Sequence, residues 1–193
     1  MGRAILLTGR PGVGKTTIIQ KVLGRWEAGA GGFYTEEIRE QGRRTGFRLV
    51  TLEGTKGILA SVNISGPYRV GKYGVDLCDL EKVGVEALDR AVRQPGVLLV
   101  VVDEAHQSQR SSSSTTNLIV IDEIGRMELF SAVFREAVER ALDSPKLVLG
   151  TIMAQAHPWV DAIKADPNVI LVEVTTLNRS TLPEQILRGL LQA

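Results

Sequence analysis

The stretch Gly9-Arg10-Pro11-Gly12-Val13-Gly14-Lys15-Thr16 fits the pattern G-x-x-x-x-G-K-[ST] without a mismatch. It follows the apolar run Ala4-Ile5-Leu6-Leu7 and leads into Ile18-Ile19-Gln20-Lys21-Val22-Leu23, which carries a helical pattern. A strand, a glycine-rich turn and a helix in that order are what a phosphate-binding loop requires. Glycines let the backbone turn through positive φ and approach a ligand closely. The freed N–H groups then form an anion nest at the helix N-terminus. Lys15 supplies a positive charge for the β- and γ-phosphates, and the Thr16 hydroxyl is a ligand for Mg²⁺.

Such a loop needs an acidic partner strand, and the chain offers two. One is Val97 to Val102 followed by Asp103-Glu104-Ala105-His106; the other is Leu118-Ile119-Val120-Ile121-Asp122-Glu123. In each, an apolar strand aims an aspartate at the metal shell and the next carboxylate is placed to orient a water. Their downstream neighbours separate them. Behind the first runs Gln107 to Thr116, polar and of low complexity, with no helical periodicity. Behind the second come Gly125-Arg126-Met127-Glu128-Leu129-Phe130, then a helix capped by Ser131 and a further apolar strand, a regular βαβ unit. The metal site is therefore assigned to Thr16 and Asp122, with Glu123 as the base. Residues 97–104 are then an extra edge strand or a displaced copy of the acidic segment, and 105–117 a flexible loop. Asp103-Glu104-Ala105-His106 also spells a helicase signature, but the length and charge do not provide two motor cores and a basic groove.

The 193 residues suit one domain, and a net charge of +1 gives no global field for nucleic acid. No apolar run approaches the roughly 20 residues of a membrane span. The start Met1-Gly2-Arg3 enters the first strand at once, so no signal peptide is expected. A single cysteine, Cys78, excludes an internal disulfide and suits a reducing, cytoplasmic setting; it reads as a small buried residue. His106 and His157 lack partners at ligand spacing, so no zinc site is expected.

The pattern predicts an α/β fold with a mostly parallel central sheet and an antiparallel β insert over 38–75. The first helix is expected from Lys15 to about Ala28, ended by Gly29-Ala30-Gly31-Gly32. Arg39 to Gly46 reads as a polar turn, and Asp79 as the cap of a helix to about Val92. Arg39, Arg43, Arg44, Arg48, Arg69 and Lys72 form either a basic lid over the phosphates or a solvated hairpin face. The last helix opens with Thr181-Leu182-Pro183-Glu184, a capping-box pattern.

A nest, a lysine, a hydroxyl and a carboxylate pair bind Mg²⁺ and a nucleoside triphosphate, and they suffice for γ-phosphoryl transfer. Lys15, Glu123 and Arg126 are the catalytic candidates. Arg126 lies just beyond the acidic pair; Arg179, in the loop after a sheet strand, is the alternative cation or a contact to base or ribose.

Several segments together resemble the small nucleoside-triphosphatases that include the cancer-related nucleoside-triphosphatase and thermophilic microbial proteins. They are Thr8 to Thr17, Gly32 to Arg39, Arg44 to Phe47, Val70 to Val75, Asp122 to Ser131 and Asn178-Arg179. The run Asp-Glu-Ile-Gly-Arg-Met-Glu-Leu-Phe-Ser is the most specific. The resemblance implies a three-layer, RecA-like P-loop fold over the whole chain, and Mg²⁺-dependent hydrolysis of ATP, GTP, CTP, UTP and TTP to diphosphate and phosphate. The nucleotide-binding set is Gly9, Arg10, Pro11, Gly12, Val13, Gly14, Lys15, Thr16, Thr17, Asn178 and Arg179. Two features depart from the family: Arg126 stands where relatives often carry lysine, and 94–117 is longer than the usual connection. A kinase passing the γ-phosphate to a hydroxyl compound, and a nucleotide-dependent switch with negligible turnover, remain alternatives.

Overall fold

The computed structural model describes residues 3–95 and 117–191. The expected strand at 97–104, the Asp103-Glu104 segment and most of the 105–117 loop lie outside the described residues.

The first strand, β1 (Ala4–Thr8), does not alternate because both of its faces are covered. Ala4 and Leu6 enter one apolar core, and Ile5 and Leu7 enter another. Four further strands run parallel with it: β2 (Ala30–Glu40), β7 (Leu118–Ile124), β8 (Leu147–Ile152) and β9 (Val169–Glu173). Across the sheet the order is β5-β6-β4-β3-β2-β7-β8-β1-β9. One face is packed by α1 (Lys15–Leu23) and α6 (Leu182–Leu191), through Ile18, Ile19, Val22, Ile186 and Leu190. The opposite face is packed by α2 (Leu77–Asp79), a π-helical segment Leu80–Val85, α3 (Glu86–Arg93) and α4 (Ala132–Asp143). There Leu80, Leu88, Phe134 and Val138 close over Phe33 and Ile121, and Phe33 meets Phe134 edge-on with ring centroids 6.1 Å apart. The result is three layers, helix–sheet–helix. A short α5 (Pro158–Lys164) precedes β9, which is an edge strand with Ile170 and Leu171 exposed.

The strand β2 belongs to both halves of the sheet. Its first residues, Ala30 to Phe33, pair in parallel with β7, and Phe33 to Glu40 pair antiparallel with β3 (Arg43–Thr51). From β3 the sheet continues antiparallel through β4 (Lys56–Ser61), β6 (Tyr73–Val75) and β5 (Arg69–Val70).

Several sequence expectations give way here. The first helix ends at Leu23, not near Ala28, and Gly24 caps it with its N–H on the last-turn carbonyls. Gly29 to Gly32 therefore does not terminate a helix; Ala30 to Gly32 lie in β2. Gly32 is needed there for approach: at φ +105, a Cβ would stand 2.1 Å from the Val120 carbonyl oxygen. Arg39 to Gly46 is not a turn but two strand ends joined at Gln41-Gly42, where both residues have positive φ. The helix after β6 is capped by Asp76, whose carboxylate accepts the Asp79 N–H; the Asp79 carboxylate instead accepts the Ile58 N–H at 2.6 Å, at the edge of β4. Glu184 does not close a capping box, because Arg25 of the chain after α1 draws it off at 2.5 Å. Cys78 is exposed rather than buried: it faces outward from a helical turn whose neighbour Leu80 fills the core.

Several cations of the insert are tied to the acids of β2 or to carbonyls of the insert itself. Arg39 and Arg44 both reach Glu37, Arg48 reaches Glu36, and Arg69 donates to the carbonyls of Ile64 and Lys72. The Arg44 guanidinium also lies over the rings of Phe47 and Tyr73, with its carbon 4.9 and 5.7 Å from their centroids.

Candidate nucleotide site

All five parallel strands end on one side of the sheet, and the loops at those ends form the site. After β1 the chain turns at Gly9, Gly12 and Gly14, with φ of +140, +76 and +111. Gly9 is fixed by approach as well as conformation, since a Cβ would meet the Val174 carbonyl oxygen at 2.6 Å. Gly14 is the N-cap of α1 and brings no side chain to bond the helix's free N–H groups. Those donors face the loop, and α1 has no acid in its first turn to satisfy them. Lys15 folds back over the loop, its Nζ donating to the Gly9 carbonyl at 3.2 Å. Arg10 and Thr17 are exposed at its rim.

The parallel register sets Ile121 of β7 against Gly150 of β8, so the next residues along, Asp122 and Thr151, are neighbours. The Thr151 hydroxyl donates to Asp122 Oδ1 at 2.5 Å. Asp122 is 1% exposed, and its other oxygen, Oδ2, has no hydrogen-bond partner. Burial pushes its carboxyl above the ordinary range; the hydroxyls of Thr151 and Thr16, the charge of Lys15 and the Thr35 N–H of β2 oppose this. Thr16 and Asp122, from different strand–loop units, are thus brought together.

That arrangement fits Mg²⁺. A buried carboxylate oxygen beside a hydroxyl and a lysine is the kind of hard-oxygen ligand that Mg²⁺ takes. Among the described residues no group of three or more His, Cys, Asp or Glu is placed to hold a metal. An ion here would take its remaining oxygens from phosphate and water, the usual way Mg²⁺ is held.

Glu123 is half-buried beside this pair. Burial raises its carboxyl, Lys15 lowers it and Asp122 raises it again. The chain then tightens into a 3-10 turn, Glu128–Phe130, and Glu128 folds back 4% exposed. Burial first, then the charge of Glu123, pushes its carboxyl up to about 8. Ser131 caps α4, accepting the Phe134 N–H at 3.0 Å while its hydroxyl donates to Glu81.

The two candidate arginines part company. Arg126 is exposed, and among the described residues it makes no hydrogen bond or ion pair. Arg179 lies on the phosphate loop: its Nη1 is 3.5 Å from the Val13 carbonyl oxygen, and its Cδ is 3.9 Å from where a Gly14 Cβ would stand. Asn178 secures that loop, accepting the Thr175 N–H at 2.8 Å and donating to the Glu173 carbonyl at 2.9 Å.

Two polar residues of the site were absent from the sequence-derived set. Thr151 is the one hydroxyl in the apolar strand Leu147-Val148-Leu149-Gly150-Thr151-Ile152, next to its carboxyl end. Glu128 is an acid set between Met127 and Leu129, which both pack on the core. A polar residue where the pattern asks for an apolar one was the available signal in each case.

The sequence profile of a family described as NTPase matches residues 4–107 and 105–187. Nucleoside-triphosphatase THEP1 of Thermotoga petrophila is 48% identical over 183 residues, covering 95% of this chain and 90% of that protein. The human cancer-related nucleoside-triphosphatase is 40% identical over 194 residues, covering 94% and 93%. The crystal structure of THEP1 from Aquifex aeolicus superimposes with a TM-score of 0.80 at 38% identity, covering 97% of this chain and 98% of that one. The solution structure of the human protein gives 0.75 at 37% identity, covering 100% and 99%. With its P-loop fold and a family match across both halves of the chain, the protein belongs to this NTPase family.

Proposed function

We propose that the protein hydrolyses nucleoside 5′-triphosphates, ATP, GTP, CTP, UTP and TTP, to the diphosphate and phosphate with Mg²⁺. The observation that carries this reading is the juxtaposition of Thr16 and Asp122, with Asp122 Oδ2 buried and unpartnered. The family membership and the relatives named nucleoside-triphosphatases support it.

The amides of Gly9 to Thr16 hold the β- and γ-phosphates at the helix N-terminus, together with Arg10, Thr17 and the side chain of Lys15. Thr16 and Asp122 would hold the metal, whose charge neutralises the phosphate oxygens when bound. Glu123 accepts the proton of the attacking water as its oxygen bonds to the γ-phosphorus and the bond to the β-phosphate oxygen breaks. The proton then leaves with the products. Lys15 steadies the charge that builds on the γ-phosphoryl oxygens. We assign the second cation to Arg179 rather than Arg126, because Arg179 already lies against Val13 and Gly14. Asn178 keeps its loop in place.

Phosphate release from Mg-ATP with no acceptor present tests the reading. Steady multiple turnover is expected, with Asp122→Asn and Glu123→Gln each losing about a hundredfold or more, while Asp103→Asn keeps it. Release that begins only on addition of a hydroxyl acceptor would make the protein a kinase. Loss at Asp103 with Asp122 indifferent would move the metal site to the other acidic segment.

A further inference from the structure

Glu128 is a costly residue where it stands. Carboxylates are rarely sealed from water, and an unpaired one destabilises the fold. The fold nevertheless keeps Glu128 4% exposed, six residues beyond Asp122, and aims it back at the acidic pair.

Gly125 shows how closely. A Cβ added there would stand 3.0 Å from Glu128 Oε2, and 3.2 and 3.3 Å from Cγ and Cδ of Glu123. Both side chains therefore border the space that a side chain on residue 125 would fill. The N–H groups of Gly125 and of Glu128 itself hold the Glu128 carboxyl. Among the described residues no donor holds the Glu123 carboxyl, although it follows the metal-site aspartate directly and must keep one orientation to act on a water.

We propose that Glu128 is a positioning residue for the hydrolysis, its fixed carboxyl holding Glu123 turned toward the phosphate loop instead of swung out to solvent. This rests on the reading of Glu123 as the group that orients water. The carboxyl suits that role. Pushed up to about 8, it keeps its proton near neutral pH and sets an uncharged group, not a second charge, across the gap from Glu123. Around the two carboxyls stand Asp122, which acts on both, and Lys15, which acts on Glu123. Glu81, on the π-helical segment packed nearby, is taken up by Ser131.

The experiment compares wild type, Glu123→Gln, Glu128→Gln, Glu128→Met and Gly125→Ala in steady-state phosphate release, binding of a fluorescent ATP analogue with Mg²⁺, and Tm. Glu128→Met is expected to lower kcat by about tenfold or more, the size of effect a small misplacement produces. Nucleotide affinity should hold, and Tm should hold or rise, because a thioether suits a dry pocket better than a carboxyl. Glu128→Gln retains an uncharged polar group and should recover most of the lost turnover. Gly125→Ala, whose backbone lies in an ordinary region, should lower kcat by wedging the two carboxyls apart. Wild-type kcat in Glu128→Met, with Glu123→Gln inactive, would overturn the proposal and leave the reading of Glu123 standing. A parallel fall of kcat and Tm in both Glu128 variants would make the residue structural and also overturn it. Full turnover in Glu123→Gln would remove the reading of Glu123, and the proposal with it.

Discussion

The hydroxyl of Thr151 donates to the carboxylate of Asp122 at 2.5 Å across two adjacent parallel strands, leaving Oδ2 of that carboxylate unpartnered. One oxygen is thereby fixed by the protein and the other is kept for something else. Hydrogen bonds to a charged group contribute about 1.5–3 kcal/mol. Thr151→Val keeps the shape and removes the donor, so it should weaken the apparent Mg²⁺ affinity in phosphate release by about tenfold to a hundredfold. A magnesium titration at saturating ATP reads this directly; an unchanged midpoint would deny Thr151 its role.

Arg179 touches the phosphate loop and Arg126 does not. Arg179→Ala is therefore expected to lower kcat/KM by about tenfold to a thousandfold, the range seen when a cation is removed from a phosphoryl-transfer site. Arg126→Ala should change it by less than about threefold, as an exposed and unpaired charge permits. The reverse ranking in initial-rate measurements would restore Arg126 as the stabilising cation.

The buried carboxyl of Glu128 links stability to pH. Its value in the folded protein, about 8, lies above the ordinary 4.5, so the folded state holds the proton more tightly than the unfolded chain. Its stabilising contribution is complete below 4.5 and is lost as pH rises through 8. Asp122 and Glu123, also raised by burial, act in the same direction. Wild type should lose a few kcal/mol relative to Glu128→Gln over this window. Urea unfolding of both proteins from about pH 5 to about pH 8.5 spans it; two parallel curves would contradict the linkage.

Gly32 and Gly42 both have positive φ but differ in surroundings. A methyl on Gly32 would be driven into the Val120 carbonyl at 2.1 Å, whereas one on Gly42 meets nothing within 4 Å. Gly42→Ala should cost about 1–2 kcal/mol, the conformational penalty alone. Gly32→Ala must also force β2 away from β7, and should cost more than about 4 kcal/mol or prevent folding. Chemical denaturation of the two variants distinguishes the cases.

Along the chain itself the amino acids decided the parts whose physics is local. Glycines at 9, 12 and 14 dictate a turn through positive φ ahead of the helix that Lys15 begins. Unalternating runs at 4–7 and 118–121 dictate strands covered on both faces, and Ser131 starts a helix as its residue type demands. The sequence also favours Asp122 over Asp103 for the metal, since the pattern after Asp122 continues into a helix and a strand. What the chain could not show was competition between distant partners. Asp79 is a good cap, but the free N–H of Ile58 claimed it; Glu184 is a good box residue, but Arg25 took it. Gly32 reads as a helix stop until Val120 is found lying against it. Register alone sets Thr151 beside Asp122, and a tight turn alone carries Glu128 back to Glu123. Local conformation follows from local sterics and hydrogen bonding, whereas the partner of a polar group depends on which donors and acceptors packing brings within about 3 Å, and that only the folded chain decides.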